Sequence, residues 1–354
     1  MQTYPVAHID IAALKHNLNQ VKGFAPDSKV MSVIKANAYG HGDIQVAFAL
    51  IESDAFAVAR LSEGIQLRQA GIKKNIVLLE GVHNMEQLQL AAENNLSPVF
   101  HNQSQIDLLS VTELIRPLKF CWLMIETGMH RLGISKAGLA VALKTLMNSH
   151  KINGEIGVMT HFANADKPND YRNKLQMDKL LESKKIENVT TTVANSAAII
   201  SLPDSHQQWI RPGVMLYGSS PFPHKTADDL GLKPVMKLAA QLIAIEQLQA
   251  GEQVGYGGEW QALKVMKVGT VNIGYGDGYS RQLSNKGKVF VHNQLVDVLG
   301  RVSMDMICID LSSINNVKIG DEVILWGIEE LQIDCVATRA NTISYELLCQ
   351  VNNR

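Results

Sequence analysis

Cysteine is scarce in this chain, and its placement argues against two kinds of cross-linked scaffold. The 354 residues include four cysteines, Cys121, Cys308, Cys335 and Cys349, and their spacing matches neither a disulfide framework nor a zinc site. We therefore expect no bound metal. The cysteines are predicted to be reduced, mostly buried thiols of a cytoplasmic protein.

Long apolar runs and one-sided charge are also missing. No uninterrupted apolar stretch reaches the length of a membrane-spanning helix, which argues against a membrane protein. The 33 basic and 34 acidic side chains give a net charge of −1 without any basic block, so nucleic acid is not an expected partner. The first ten residues, MQTYPVAHID, lack the basic and apolar regions of a secretory signal. These absences favour a cytoplasmic location.

Strand and helix patterns alternate through the first part of the chain. Eight short β-type runs are separated by amphipathic stretches, which is typical of parallel strands. Eight such units within about 225 residues favour a closed (β/α)8 TIM-type barrel, predicted here as a domain over residues 1–225. The last crossover is short, which leaves an open sheet as the alternative. The predicted strands are 29–36, 55–59, 75–80, 97–101, 119–126, 154–161, 189–194 and 209–216.

The pattern changes after about residue 225. Helical periods become rare, and β-type runs are separated by Gly-Asp and Asn-Gln turn signals. We predict a second, mostly antiparallel β domain over residues 226–354, helical only near residues 337–349. Its predicted strands are 237–248, 265–273, 288–298, 306–311 and 322–326.

Lys35 is the most informative single residue. An apolar run ends at this lysine, and the small or turn-prone residues that follow allow a sharp turn and a close approach by a ligand. Partial burial lowers the pKa of an ammonium group and so activates it as a nucleophile. This is the environment of a lysine that bonds covalently to a carbonyl compound, although a surface lysine with a packed stem has the same local sequence.

Polar residues follow most of the predicted strands, at the barrel end where such folds place their catalytic groups. Asn195 and Ser196 end one strand and open a helix, where an anion would be stabilised, although a plain helix cap is an equal alternative. Gly213 lies in the next predicted strand, after its arginine, and Tyr39 lies near the lysine. We interpret this set as a candidate phosphate site. His161 would be a packed core histidine or a ring stacked on a heteroaromatic cofactor.

Taken together, these segments resemble the alanine racemases, which are pyridoxal 5′-phosphate enzymes of the barrel type. The matching motifs occur in order over nearly the whole chain and both predicted domains. They are VIKANAYGHG (33–42), TGMHRLG (127–133), THFA (160–163), ANSAA (194–198), RPG (211–213), GYGG (255–258), GYGDGY (274–279) and GRVSMD (300–305).

The resemblance implies a two-base racemisation of L- and D-alanine in a homodimer with shared sites. Lys35 would hold the cofactor covalently and exchange the α-proton on one face. Tyr256 of the partner subunit would act on the other face, since inversion needs a proton-transfer group on each side of the carbon. Arg211 would face the pyridine nitrogen and disfavour its protonation, which suits racemisation better than transamination.

Further site residues follow from the same resemblance. Cofactor binding would involve Lys35, Tyr39, Arg131, His161, Asn195, Ser196, Arg211, Gly213 and Val214. Substrate binding would involve Arg131, Tyr256, Tyr275 and Met304. Residues of the access channel would be Asp166, Tyr275, Arg281 and Arg301, whereas an additional C-terminal tyrosine of some relatives is expected to be missing.

The chain departs from the family pattern beside Arg131. Many members have a lysine at the position of Met124; it can be carbamylated and then holds the arginine. Methionine cannot do this, so Glu126, a bound chloride or nothing would take that role. A second hypothesis concerns Arg301, whose charge near Tyr256 could lower the tyrosine pKa.

Three other functions were weighed. A barrel that only binds the cofactor would lack the second-domain motifs. A basic amino-acid decarboxylase would place an acidic residue where Arg211 stands. Racemisation of serine or another amino acid remains the alternative, as does the choice between D-alanine supply for peptidoglycan and alanine catabolism.

Overall fold

The computed structural model describes residues 5–184 and 189–352. The chain divides into two compact units. The barrel unit comprises Asn17–Ala38 and Gly42–Leu216, and the sheet unit comprises Met1–His16, Tyr39–His41 and Tyr217–Arg354. Residues 1–4, where the sequence analysis expected no secretory signal, lie outside the described part of the chain.

The parallel strands of the barrel unit form a closed barrel, which confirms the predicted fold. Neighbours pair in chain order, and the closure joins Lys29 to Trp209 and Val30 to Ile210. The strands are shorter than predicted, most clearly the last one, which covers two residues instead of 209–216. After β1 (Val6–Ile9), they are β2 (Lys29–Val33), β3 (Ala55–Val58), β4 (Asn75–Leu78), β5 (Ser97–Phe100), β6 (Leu118–Met124), β7 (Ile152–Met159), β8 (Thr190–Thr192) and β9 (Trp209–Ile210).

Helices connect these strands, and several begin at a side-chain cap. The side-chain oxygens of Asn84, Asn102 and Asn195 each accept a hydrogen bond from a backbone N–H in the first helical turn. The helices are α1 (Ile11–Phe24), α2 (Lys35–Gly40), α3 (Asp43–Ala49), α4 (Leu61–Gln69), α5 (Met85–Glu93), α6 (Gln103–Val111), α7 (Lys136–Met147), α8 (Tyr171–Lys184) and α9 (Ser196–Ser201).

Large side chains pack against one another within a barrel strand and between strands that are not neighbours. Trp122 on β6 lies 5.1 Å from the ring of Phe120 and packs edge-on to Trp209 at 6.3 Å. Its partner on β7 is Gly157, where a Cβ would come within 2.4 Å of the indole. The small residue therefore provides the space that the large one fills.

The sheet unit contains an antiparallel sheet, as predicted, and its strand order is β1-β10-β13-β16-β15-β14-β17. The sequence analysis missed β1, which pairs with β10. It also merged the hairpin β14–β15 into one strand and the last two helices into one. The elements are β10 (Met236–Leu248), β11 (Gln253–Val254), β12 (Trp260–Gln261), β13 (Met266–Val271), β14 (Lys288–Val291), β15 (Gln294–Leu299), β16 (Ile307–Asp310), β17 (Glu322–Trp326), α10 (Ile333–Arg339) and α11 (Ser344–Gln350).

Among the described residues, no helix is long and apolar enough to cross a membrane. The same residues contain no group of three or more histidine, cysteine, aspartate or glutamate side chains placed to hold a metal ion.

Candidate active site

Lys35 lies just beyond a strand, at the start of a left-handed turn. The sequence analysis placed it inside a strand over 29–36, which was wrong because β2 ends at Val33. Residues 36–39 all have φ between 51° and 54°, and none of them is glycine. Left-handed backbone costs roughly 1–2 kcal/mol for each residue that has a Cβ. Strain of this kind is concentrated at functional sites.

Local hydrogen bonds hold this turn in place. The N–H of Ala38 donates to the carbonyl of Ile34 at 3.0 Å, and that of Gly42 donates to the carbonyl of Asn37 at 3.0 Å. The Asn37 side chain also accepts from the N–H of Asp43 at 3.0 Å. Asparagine tolerates left-handed backbone because its short side chain can form such bonds. Lys35 is thus fixed at the carboxyl end of β2.

Tyr39 is buried in an aromatic cluster of the sheet unit. Its ring stacks on Tyr217 at 4.7 Å and lies 6.1 Å from Tyr345. Burial, followed by the influence of Tyr345 and Cys349, raises the pKa of the Tyr39 hydroxyl far above its usual value. The hydroxyl therefore stays protonated at neutral pH. The sequence analysis missed Tyr217 and Tyr345, which are remote from Tyr39 in the chain.

Arg211 is buried, and hydrogen bonds fix its guanidinium. Nη1 donates to Oγ1 of Thr192 at 2.8 Å. Nη2 lies 2.5 Å from the carbonyl oxygen of Thr160, 3.3 Å from that of Val193 and 3.3 Å from Nδ1 of His161. A buried guanidinium with this many partners has a single orientation. The predicted site residues Arg211 and His161 are therefore in direct contact.

Positive charge is concentrated around His161. Burial of the ring, followed by the charges of Arg211, Arg131 and Lys35, lowers the pKa of His161 to about 3. Burial, followed by the charge of Arg131, lowers the pKa of Arg211 to about 10, which still leaves it charged at neutral pH. Four predicted site residues of the barrel unit therefore lie close together. The cationic side chains of Lys35, Arg131 and Arg211 surround the neutral imidazole of His161.

The low pKa of His161 predicts a pH-dependent stability. In the unfolded chain, the His161 ring binds a proton below about pH 6.5, whereas in the folded protein it binds one only below about pH 3. The free energy of unfolding should therefore fall as pH decreases through this window. The His161→Gln variant should lose less stability between about pH 7 and about pH 4.5 in urea titrations. Equal slopes for the wild-type and the variant protein would contradict this origin.

The loop that contains Arg131 is closed by backbone contacts. Glu126 accepts hydrogen bonds from the N–H groups of Gly128 and His130, the latter at 2.8 Å. Gly133 has φ 135°, and a Cβ there would lie 2.5 Å from the backbone nitrogen of Glu126. Among the described residues, Glu126 forms no ion pair with Arg131, which is exposed. Glu126 shapes the loop and does not supply the anion that the sequence analysis considered for it.

Gln176 on α8 is a buried residue that the sequence analysis missed. Its amide nitrogen donates to the carbonyl of His161 at 2.8 Å and to Oγ1 of Thr127 at 3.1 Å. Its amide oxygen accepts from the N–H of Ala163 at 2.9 Å. Gln176 therefore ties the loop after β7, which contains His161, to the loop after β6. A helical glutamine gives no sequence signal for such long-range bonds.

Removing the Gln176 amide should destabilise the barrel unit. Gln176→Ala would remove the donor to the His161 carbonyl, the acceptor for the Ala163 N–H and one of two partners of Thr127 Oγ1, which also bonds to Thr160 Oγ1 at 2.7 Å. The expected cost is about 1–3 kcal/mol in the free energy of unfolding. Urea denaturation measures this loss. Gln103→Ala is the control, because Gln103 is exposed and bonds only to Asp107 in the next turn, so its change should stay within about 0.5 kcal/mol. Equal losses would contradict the assignment.

The loops after β8 and β9 are joined at Ser196. The Asn195 side chain accepts from the N–H of Ala198 at 3.1 Å and so caps α9. The Ser196 hydroxyl accepts from the N–H of Gly213 at 2.9 Å, directly before the 3-10 turn that begins at Val214. The loops after β8 and β9 therefore contain four residues predicted to bind the cofactor, Asn195, Ser196, Gly213 and Val214.

Three other predicted site residues are exposed in the sheet unit. Tyr256 is 70% exposed, Met304 51% and Tyr275 43%. The N–H of Tyr275 donates to the carbonyl of Ser303 at 3.0 Å, which places Tyr275 beside the Met304 segment. These side chains are accessible on a surface of the unit.

The guanidinium of Arg301 forms an ion pair with the Glu259 carboxylate, a partner that the sequence analysis did not identify. A Cβ at Gly257 would lie 3.3 Å from the guanidinium carbon, so Arg301 does lie against the turn that contains Tyr256. The hypothesis that Arg301 lowers the pKa of Tyr256 remains a prediction, and Glu259 partly offsets its charge.

Comparison with known proteins assigns the family. The family model "Alanine racemase, N-terminal domain" matches residues 9–221, and "Alanine racemase, C-terminal domain" matches residues 235–354. The chain belongs to the alanine racemase family. The resemblance in motifs is thereby confirmed, and the alanine racemase assignment covers both units.

Relatives of the alanine racemase family match nearly the full length. The alanine racemase of Nitrosococcus oceani is 45% identical over 351 residues, covering 99% of this chain and 98% of the relative. The biosynthetic alanine racemase of Pseudomonas aeruginosa superposes with a TM-score of 0.95 at 39% identity, covering 99% and 98%. The alanine racemase structure from Acinetobacter baumannii gives 0.91 at 40% identity, covering 100% and 98%.

Proposed function

We propose that this alanine racemase interconverts L- and D-alanine with pyridoxal 5′-phosphate bound covalently to Lys35. The observation that carries the proposal is the grouping of Lys35, Arg131 and Arg211 around His161, where their charges lower the pKa of the ring. This cluster of cationic side chains suits a planar ligand that bears an anionic phosphate and a phenolic oxygen. The names of the matched relatives support alanine over serine or another amino acid as the substrate.

The chemistry of the donor set fits this cofactor. Among the described residues, neither Arg131 nor the buried Arg211 forms an ion pair with a carboxylate. Buried charge is costly without a counter-charge, so an anionic ligand would stabilise the site. When bound, the cofactor supplies an electron-withdrawing ring that makes the α-proton of an attached amino acid removable.

The phosphate is assigned to groups that donate hydrogen bonds. The Tyr39 hydroxyl remains protonated because burial raises its pKa, so it acts as a donor. Ser196 contributes a hydroxyl, and Gly213 and Val214 contribute backbone N–H groups. Asn195 supports them by capping α9.

Proton transfer is assigned to one group on each face of the α-carbon. Lys35 Nζ removes the α-proton on one face and returns it in the reverse direction. Tyr256 of the partner subunit does the same on the other face. Inversion follows when one group takes a proton and the other delivers one.

Charged and polar neighbours orient the reactants. Arg211 stays charged at neutral pH and would face the ring nitrogen of the bound cofactor, where its charge would disfavour protonation of that atom. His161 is held neutral beside it and orients the guanidinium. Arg131 is assigned to the phenolic oxygen and the substrate, a Met304 backbone group to the substrate carboxylate, and Tyr275 to the access channel.

We infer a homodimer with shared sites from the exposure of these side chains. Tyr256 and Met304 are far more exposed than catalytic or binding groups usually are, and Leu263 on the same unit is 93% exposed. We assign these exposed side chains to a contact with a second copy of the chain. A second copy of the chain would bring Tyr256 to the Lys35 site of its partner.

Three broader assignments accompany this function. Cys121, Cys308 and Cys335 are free thiols, which is consistent with the reducing cytoplasm as the location. The D-alanine formed would serve peptidoglycan synthesis, or the reaction would serve alanine catabolism. The domain boundary is proposed between residues 225 and 226.

The direct test is a chiral assay with a substrate panel. Purified protein and added pyridoxal phosphate are incubated with L-alanine, L-serine or L-lysine, and the enantiomers are separated by chromatography. The proposal expects rapid, saturable formation of D-alanine and little D-serine or D-lysine. Faster racemisation of serine or lysine would contradict the substrate assignment.

A further inference from the structure

Glu63, the third residue of α4, binds two separate segments with its two carboxylate oxygens. Oε2 accepts from the N–H groups of Ala59 and Arg60, each at 2.8 Å, and so caps the helix. Oε1 accepts from the N–H of Ala36 at 2.6 Å. Ala36 directly follows Lys35 and is the first residue of the left-handed turn.

The next two strand–helix units of the barrel show what capping alone requires. Gln87 and Gln105 occupy the same third position of α5 and α6. Each caps with its amide oxygen, accepting from the N–H of His83 at 2.9 Å and of His101 at 2.7 Å. One oxygen is therefore enough for the cap, and the second oxygen of Glu63 has another purpose.

The residue type at this third helical position matches the group that the second polar atom of its side chain contacts. The amide nitrogen of Gln105 donates to the carbonyl of Val82 at 3.1 Å, so a donor meets an acceptor. The second oxygen of Glu63 contacts the N–H of Ala36, which is a donor, so the side chain needs a second acceptor there. Glutamate provides two acceptors, whereas glutamine provides one acceptor and one donor.

We propose that Glu63 is a positioning residue that fixes the backbone of Lys35 for covalent cofactor binding and proton transfer. It ties the strained turn to the start of α4, so that the lysine leaves the strand in one direction. This inference rests on the proposed function of Lys35. Glu63 acts through the backbone and does not touch the reacting atoms.

Glu63→Gln is the test variant, because it retains the oxygen that caps α4, as in Gln87 and Gln105. It replaces the oxygen facing Ala36 with an amide NH2 group, which cannot accept a hydrogen bond from the Ala36 N–H. Gln87→Ala is the matched control, since it removes a helix cap of the same kind from a strand–helix unit without the lysine. Both proteins are studied as full chains with pyridoxal phosphate.

Four readouts separate positioning from general stability. They are the dissociation constant of the cofactor by equilibrium dialysis, the site of borohydride-fixed cofactor by peptide mass spectrometry, kcat and KM for alanine, and Tm. Glu63→Gln should weaken cofactor binding and lower kcat by at least about tenfold each, with KM changed by less than about threefold. Its Tm should match that of Gln87→Ala, which should retain wild-type cofactor binding and kcat.

Each contrary result overturns a defined statement. Wild-type cofactor affinity and kcat in Glu63→Gln would overturn the positioning role. An equal loss in Gln87→Ala would show that loss of one hydrogen bond at this helical position has the effect in a unit without the lysine as well, which also overturns it. Failure of the wild-type protein to bind the cofactor at Lys35 would overturn the proposed function and this inference with it.

Discussion

Mixing the Lys35→Ala protein with the Tyr256→Phe protein should restore racemase activity to about one quarter of the wild-type value. In a shared-site dimer, each heterodimer has one site with intact Lys35 and intact Tyr256, and a second site that lacks both. Random exchange makes about half of the dimers heterodimers, and half of their sites are intact. The exposed position of Tyr256 in its own chain is the structural reason to expect this.

The two variants should be nearly inactive when assayed alone. Lys35→Ala should lose covalent cofactor attachment, and Tyr256→Phe should keep it while losing one direction of proton transfer. Loss of a group that moves a proton costs about 10²–10⁴-fold in rate. Subunit exchange is verified by co-purification of differently tagged chains. Exchange without recovered activity would contradict the shared site.

Replacing Arg211 with glutamine should change both activity and the charge state of His161. Burial of the ring is the largest cause of the low pKa of His161 and the Arg211 charge is the next, so removal of that charge should raise the pKa from about 3 part of the way toward its usual value. The variant also loses guanidinium bonds to Thr192 and Thr160. We expect racemase activity to fall by at least about 100-fold.

Arg211→Lys is the matched variant that retains the charge. It should keep the pKa of His161 low while losing activity, because an ammonium group cannot reproduce the fixed guanidinium bonds. The pKa is measured from the pH dependence of the His161 ring resonances in NMR spectra. An unchanged His161 pKa in Arg211→Gln would refute the electrostatic origin.

The barrel was predictable because its signal is local. Each β-type run and each amphipathic stretch is visible in a short window of sequence, and eight of them in succession favour closure. The pairing of β1 with β10 was not predictable in this way, because it joins segments far apart in the chain. The extent of β9 was overestimated, because the apolar residues after Ile210 form a buried 3-10 turn instead of a longer strand.

The candidate site was predictable where residue type determines chemistry. Lys35, Arg211 and His161 were identified from motifs, and the charges of Lys35 and Arg211 both act on the neutral His161 ring. The left-handed backbone of residues 36–39 gave no such signal, because non-glycine residues adopt it only when tertiary contacts require it. Glu63 and Gln176 were missed for the same reason, since their hydrogen bonds connect different strand–helix units.

Racemisation of L-alanine in deuterium oxide tests the central claim most directly. Exchange of the α-proton through Lys35 and Tyr256 predicts that the D-alanine formed contains deuterium at the α-carbon, and that Lys35→Ala forms none. Chiral chromatography coupled to mass spectrometry measures both the enantiomer and the label. Absence of D-alanine, or D-alanine without α-deuterium, would contradict the account.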